Sequence, residues 1–405
     1  MNRILFCIST FLFLLFPELS KACTSAIVTG KLTSDGRPLL WKHRDTSEPN
    51  NRVAYFDGGK YSFIALVNSP DNDSIVWTGT NSTGFSIMNT ASYNLKDDDV
   101  EEMDKEGELM YKALSICKNL KDFEKFLDQY PRPIRVEANF GVIDAEGGSA
   151  YYEVNNTQWT KLDVNDPEVA PYGFLVVTNF SYTGRVDEGK GYIRYNNALK
   201  IFMDQYHHGN ITPQWIFNEL SRSFYHSLLD IDLRKDLSKL SNSGWFIDQD
   251  FIPRRSTSAS VVIQGVKKRE DPASTVMWTV LGYPPVGIAV PLLEKSGKNL
   301  PFYMTRSESS DNSELCDLAL QAKNHVFSLS RGSGSHYFNA SLLFNVDDTG
   351  YSQIMSQTED IIITAFNARM KKWRKKRIDP DELNDFYSES YDKIKGVYHR
   401  INVTL

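Results

Sequence analysis

Cysteine is scarce in this chain, and its number does not suit a disulfide framework. Four occur in 405 residues, and Cys7 lies in an apolar N-terminal stretch that reads as a leader. Loss of that leader keeps Cys23, Cys117 and Cys316, so at least one thiol stays unpaired even in an oxidising compartment. Histidine is also sparse. The seven are scattered, His207 and His208 would point apart, and no His/Cys spacing suits zinc, so neither a metal nor another cofactor is expected. No glycine-rich loop of the phosphate-cradling kind is present. A surplus of positive charge is missing as well: 45 Lys and Arg stand against 51 Asp and Glu, net −6. The leader holds Arg3 and Lys21 against Glu18, one positive charge net, so −6 − 1 leaves −7 on the remainder. Nucleic acid is therefore not an expected partner, because phosphate binding needs a basic face. The basic run at 371–377 sits beside acidic 379–385 and reads as a solvated face. After the leader no apolar run is long enough for an integral membrane span.

What is present begins with residues 1–22. Arg3 supplies a positive start, Ile4 to Phe16 an apolar run, and Ser20-Lys21-Ala22 the small residues at −3 and −1 of a cut before Cys23. This reads as a signal peptide, with the mature chain exported to a periplasm or the exterior. A lipidation signal fits less well, because Ser20 stands where an aliphatic residue is needed. A cut there would leave Cys23 with a thiol and a free α-amine, whose ordinary pKa values of ~8.5 and ~7.7–8.0 are nearly matched. Such a residue carries its own base. Cys117 and Cys316 sit in apolar helical patterns and read as small core residues.

Periodicity and turn chemistry predict strands at Ser25–Gly30, Leu39–Asp45, Val53–Phe56, Ser62–Leu66, Ser74–Thr78 and Gly84–Asn89, the first two joined through Asp35-Gly36. Helices are predicted at Glu108–Asn119 and Leu120–Gln129, ended by Pro131 and Pro133. Strands follow at Phe140–Ala145, Ala150–Val154 and Phe174–Thr178, then helices at Tyr192–Gln205 and Pro213–Ser223, and strands at Ser258–Gln264 and Val276–Leu281. Helices at Asp311–Ser328, Tyr351–Lys376 and Pro380–Ile401 close the chain. This order points to a layered α+β fold, not a doubly wound sheet.

Cys23-Thr24-Ser25, the Asp35-Gly36 turn, Lys42 with Asp45, Phe140 to Ala145, Val177-Thr178-Asn179 and Trp278 to Pro284 together resemble the N-terminal nucleophile hydrolases. The likeness is to the acyl-CoA:6-aminopenicillanic acid acyltransferase-like and choloylglycine hydrolase-like enzymes. It spans roughly residues 23–290. It implies a four-layer αββα sandwich over 23–300. Residues 301–405 lie beyond the resemblance and read as a helical extension packed on that domain, either a cap or an element for a homo-oligomer. The resemblance also implies cleavage of a linear amide C–N bond in a small acyl-amide, without a cofactor. By the resemblance Cys23 is the nucleophile, Asp45 holds its α-amine, and Asn179 donates to the oxyanion with a backbone N–H at Asn89. Lys42 stands where the family usually has arginine, with His43 and Arg44 as alternative local cations. Arg194 is the expected match to a family arginine, with Arg254 and Arg255 competing; each of the three, taken alone, reads as a solvated surface side chain. A plain turn residue remains the other reading of Asp45, Asn179 and Asn89. Three other functions stay open: an acyltransferase, an N-terminal-Cys dipeptidase, and a non-enzymatic exported binding protein or lipoprotein. The 23 Phe and 20 Tyr could line an acyl pocket or fill a large core.

Overall fold

A computed structural model of the protein describes residues 22–70, 74–236, 243–306 and 311–404. The leader, apart from Ala22, lies outside the described residues. The first strand, β1 (Ala22–Val28), is buried throughout and pairs antiparallel with β2 (Leu39–Asp45). Their connection turns at Gly36, whose φ of +74° suits glycine. Arg37 then fastens the turn to Asp35 at 2.8 Å and to Glu270 at 2.5 Å.

A meander follows. Strands β3 (Asn51–Phe56), β4 (Phe63–Asn68), β5 (Thr78–Asn81), β6 (Ser86–Ala91), β7 (Ala138–Ile143), β8 (Ser149–Val154) and β9 (Trp159–Asp163) pair in sequence order as a seven-stranded antiparallel sheet. The other sheet has six strands, in the order β10 (Phe174–Val177), β1, β2, Thr257–Gln264, Val276–Leu281, Val290–Leu293. The two sheets meet face to face through β1 and β2 against β6 and β7. Outside the seven-stranded sheet lie α1 (Glu106–Ile116) and α2 (Leu120–Gln129), the latter capped by Asn119 accepting from Asp122 N at 3.0 Å. Outside the other lie α3 (Tyr192–Tyr206) and the helix Tyr351–Trp373. The layers are therefore α, β, β, α. The fold is the α+β sandwich that the resemblance implies.

Two hydrophobic clusters hold these layers. One sits between the seven-stranded sheet and α1 and α2, where Phe63, Phe85, Phe123, Phe140 and Tyr152 are buried. The larger runs between the sheets and out under α3 and the C-terminal helices. Most of the aromatic surplus is spent on these cores.

Several predicted elements shift. The strand expected at Ser74–Thr78 is observed at Thr78–Asn81, because Gly79 packs where a Cβ would come 2.5 Å from Ile64 O. Pattern reading discounts a glycine inside a strand, whereas close approach requires one. Strand β9 was not predicted; it is polar and lies at the sheet edge. The C-terminal segment is not helical throughout. Besides helices at Glu314–Val326, Tyr351–Trp373 and Pro380–Arg400, it holds the strands Leu329–Ser330 and His336–Asn339, and the second of these pairs with Trp245–Phe246. Its helices share the larger core with the sandwich. Arg222 and Glu359, both buried, pair across this boundary at 2.6 Å. The remaining Arg222 N–H groups donate to Pro284 O at 3.0 Å, Gly287 O at 3.1 Å and Asn218 Oδ1 at 2.9 Å.

Candidate active site

The register of β1 against β2 sorts the candidate residues by face. Cys23 lies opposite Arg44, Thr24 opposite His43, Ser25 opposite Lys42 and Ala22 opposite Asp45. Residues directly opposite in an antiparallel pair share a face, and neighbours along a strand alternate. Ser25 Oγ meets Tyr151 Oη of β8 at 3.0 Å, so Cys23, Ser25, Lys42 and Arg44 face the interior between the sheets. Thr24, His43 and Asp45 face the outer helical layer. The three adjacent basic residues of β2 are thus separated: Lys42 and Arg44 share the thiol's side, and His43 does not.

On the inner side, Lys42 Nζ donates to Trp77 O at 2.9 Å, Asn89 O at 2.7 Å and Asn89 Oδ1 at 2.5 Å. The ammonium thereby ties β2 to the opposite sheet with all three hydrogens engaged. Burial, aided by the Arg44 charge, brings it down to about 8, against the opposing pull of Cys23 and Glu106. Arg44 donates to Asn51 Oδ1 at 2.5 Å and Asn68 Oδ1 at 2.8 Å, and stacks 4.6 Å from the Trp77 ring. Cys23 is 6% exposed. It opens on a cavity of about 20 Å³, lined also by Lys42, Arg44, Trp77, Asn89, Ala91, Asp104 and Glu106, with Asp45 and Thr46 bordering it at the strand end. That is room for about one water.

The other side holds the backbone of Cys23. The β1–β10 ladder ends at Ser25 opposite Val177, so Cys23 N lies beyond it and donates to the side chain of Asn179, Oδ1 at 3.1 Å. Asn179 is held in turn: its Nδ2 donates to Ala91 O at 2.9 Å, and its Oδ1 accepts from Arg194 at 2.7 Å. Arg194 also donates to Cys23 O at 2.7 Å and Thr24 Oγ1 at 2.8 Å. It is 2% exposed, which corrects its reading as a solvated surface arginine. The reason is local: Gly191, at φ +81°, starts α3 where a Cβ would fall 2.4 Å from the guanidinium. Burial, with the Arg254 charge, lowers Arg194 to about 10, so it stays charged at neutrality.

Asp45 is buried at the strand end. Its Oδ1 accepts from Thr257 Oγ1 at 2.6 Å, and its Oδ2 pairs with Arg254. Burial alone would raise this carboxyl, but the charges of Arg254, His43 and Arg194 and the Thr257 hydrogen bond together hold it below its usual range. The Cys23 N–H meets Asn179, not Asp45, because Asp45 stands one pair further on, across from Ala22. Burial first, then Arg254 and Arg194, pushes His43 down to about 4, so it is neutral around pH 7. Arg255 is exposed and pairs with neither Cys23 nor Asp45 among the described residues. Cys117 and Cys316 are buried and unpaired, with thiols pushed by burial up to about 12 and about 11.

No family model matches the chain, and no curated protein matches it. Solved structures do. The chain is similar to an ortholog of N-acylethanolamine-hydrolyzing acid amidase from Caenorhabditis elegans, at 15% identity and a TM-score of 0.37 over 60% of this chain and 92% of that one. It is similar to a mutant of conjugated bile acid hydrolase from Clostridium perfringens, at 11% identity and a TM-score of 0.40, over 68% of this chain and 93% of the other. A penicillin V acylase from Agrobacterium tumefaciens gives 12% identity and a TM-score of 0.36, over 67% and 86% of the two chains.

Sequence reasoning missed Thr257, Trp77, Asp104 and Glu106. Thr257 lies one residue before the strand predicted at Ser258–Gln264 and opens the observed one, so nothing in the sequence marked it. The other three reach the cavity only through the packing of one sheet on the other.

Proposed function

We propose that this chain is an exported amidohydrolase of the N-terminal nucleophile group, of the acyltransferase-like and choloylglycine hydrolase-like kind, cleaving a linear amide through a thioester on Cys23. One observation carries the reading. The Cys23 nitrogen sits outside the sheet ladder on Asn179 Oδ1 at 3.1 Å, while the residue's side chain faces a small cavity shared with Lys42. A strand position whose nitrogen is held by a side chain keeps that contact when it becomes a chain terminus, and the cut gives up only the Ala22–Asp45 pair at the end of the β1–β2 ladder.

Removal of residues 1–22 would turn that amide nitrogen into an amine. The amine takes the thiol proton and stays near the sulfur through Asn179. The thiolate attacks the substrate carbonyl, and Asn179 Nδ2 with a backbone N–H near Asn89 stabilises the oxyanion. The leaving amine takes the proton back as the C–N bond breaks. Water then attacks the thioester, releasing the acid and restoring the thiol. Lys42 supplies positive charge at the thiolate, Arg194 fixes the Cys23 carbonyl, and Asp45 with Arg254 holds the strand end. If an amine takes the place of that water, the same site is an acyltransferase.

Asp104 and Glu106 at the cavity favour one second reading, a dipeptidase that pairs its substrate's free amine. A panel of dipeptides and N-acyl amides separates the two. The main test combines N-terminal sequencing and intact mass of the purified protein with Cys23→Ser. A chain starting at Cys23, with amide turnover lost in the variant, supports the reading. Turnover at the unaltered rate in Cys23→Ser sinks it, and a lipid mass on Cys23 moves the protein to the lipoprotein alternative.

A further inference from the structure

A second cavity, of about 670 Å³, lies beside the small one at Cys23, and Thr46 lines both. One wall comes from the segment carrying Arg254 and Arg255. The other comes from the C-terminal region: Lys323 on the Glu314–Val326 helix, Arg331 in the turn after Leu329–Ser330, and His336 at the start of the next short strand. These C-terminal residues lie beyond the part of the chain that carries the family resemblance.

The charge in this cleft is unbalanced. Arg254 is neutralised by Asp45. The one carboxylate lining the cleft is Asp248, whose Oδ2 accepts from the backbone N of Arg255 at 2.5 Å. Lys323 is 8% exposed, yet its ammonium has a single acceptor, Thr257 O at 3.2 Å, besides the face of Tyr283 at 5.7 Å. Among the described residues no carboxylate pairs with Lys323, Arg255 or Arg331. Asp45 and Asp248 act on Lys323 only through space, and a buried ammonium with unused donors and no paired carboxylate is costly unless something else supplies the negative charge. Burial and the nearby Arg255 charge do lower Lys323, to about 8, but it keeps its proton through the neutral range.

We infer that this cleft binds an anionic group on the substrate, with Lys323 as the buried anchor and Arg331 and Arg255 as the rim, so that the C-terminal region contributes specificity to the site at Cys23. An oxyanion within reach of Lys323 accepts its unused N–H groups, and a planar carboxylate suits either guanidinium. The inference rests on the amide-hydrolase reading for which molecule carries the anion, but not for the binding itself.

The two can therefore be tested apart. Decanoylglycine, decanoyltaurine, decanoyl phosphoethanolamine and neutral decanoylglycinamide are titrated calorimetrically into Cys23→Ala, which needs no turnover. The anionic ligands are expected to bind at least about tenfold more tightly than the amide, and less so at high salt. Adding Lys323→Met is expected to cut that preference by about tenfold, the scale of one charge-assisted hydrogen bond. Arg331→Gln, on a half-exposed side chain that does not endanger folding, is expected to cut it by a few-fold. The ranking of the three anions tells a carboxylate site from a sulfonate or phosphate site. Equal binding of charged and neutral ligands, or a preference untouched by both substitutions, overturns the inference. Wild-type turnover without charge preference sinks the cleft alone. Charge-selective binding with no turnover of any amide keeps the cleft and sinks the hydrolase reading.

Discussion

The two faces of β2 handle charge in opposite ways. On the inner face Lys42 is held by carbonyl and amide oxygens, so its charge remains directed into the cavity that Cys23 shares. On the outer face Asp45 is matched by Arg254 and Thr257, and the charge there is cancelled. The difference separates two tasks within seven residues of strand. One face keeps a positive charge beside the Cys23 side chain. The other locks the strand end in place.

Five changes would break or sharpen this contrast. Cys23→Ser should remove the nucleophile and lower amide turnover by at least about 1,000-fold in a steady-state assay. Asn179→Ala should cost kcat about 100- to 1,000-fold, the scale of one oxyanion donor, and should also loosen the Cys23 nitrogen. An unchanged kcat would leave Asn179 as a cap only. Asp45→Asn acts on the other face and should appear mainly in stability. Leaving Arg254 without its carboxylate is expected to cost about 3 kcal/mol by urea unfolding. A loss of activity with stability intact would instead place Asp45 with the inner group.

His43, neutral and buried on the outer face, sets a pH dependence. Its pKa is about 4 when folded against 6.5 ordinarily, so between those values the unfolded chain takes up a proton that the fold refuses. Its contribution to stability is full above pH 6.5 and is lost as the pH falls through 4. The urea midpoint should drop between about pH 7 and pH 5, and His43→Gln should flatten that drop; equal slopes would refute the assignment. The smallest effect belongs to Lys42→Met. Losing the cation on the thiol's side should slow iodoacetamide labelling of Cys23 at neutral pH by a few-fold. An unchanged rate would mean that Lys42 does not act on the thiol.

Much of the hairpin was legible in the sequence because strand geometry is strictly alternating. Once Cys23 and Asp45 are placed on paired strands, Lys42 and Arg44 must fall on one face and His43 and Asp45 on the other. Asn179 was visible as the residue after an apolar strand. Other features depended on contacts between distant segments. Arg254 reaches Asp45 across 209 positions, and Arg194 is buried because α3 lands on the Cys23 carbonyl. Gly191, three residues before Arg194, is the one local hint for that arginine, and nothing local distinguishes Arg254 from a solvated one. The same holds for Lys323, which an amphipathic reading of its helix leaves near the surface.

The pairing of Arg222 with Glu359 constrains how this chain can be recombined. The two residues lie 137 positions apart, and each is almost fully enclosed. A chimera with a parent that lacks the pair, crossed over anywhere between them, inherits one partner without the other and seals a lone charge in its interior. Shuffling experiments should therefore recover breakpoints before 222 or after 359, and few between. The carboxyl-terminal quarter therefore travels with the part of the sandwich that follows Arg222.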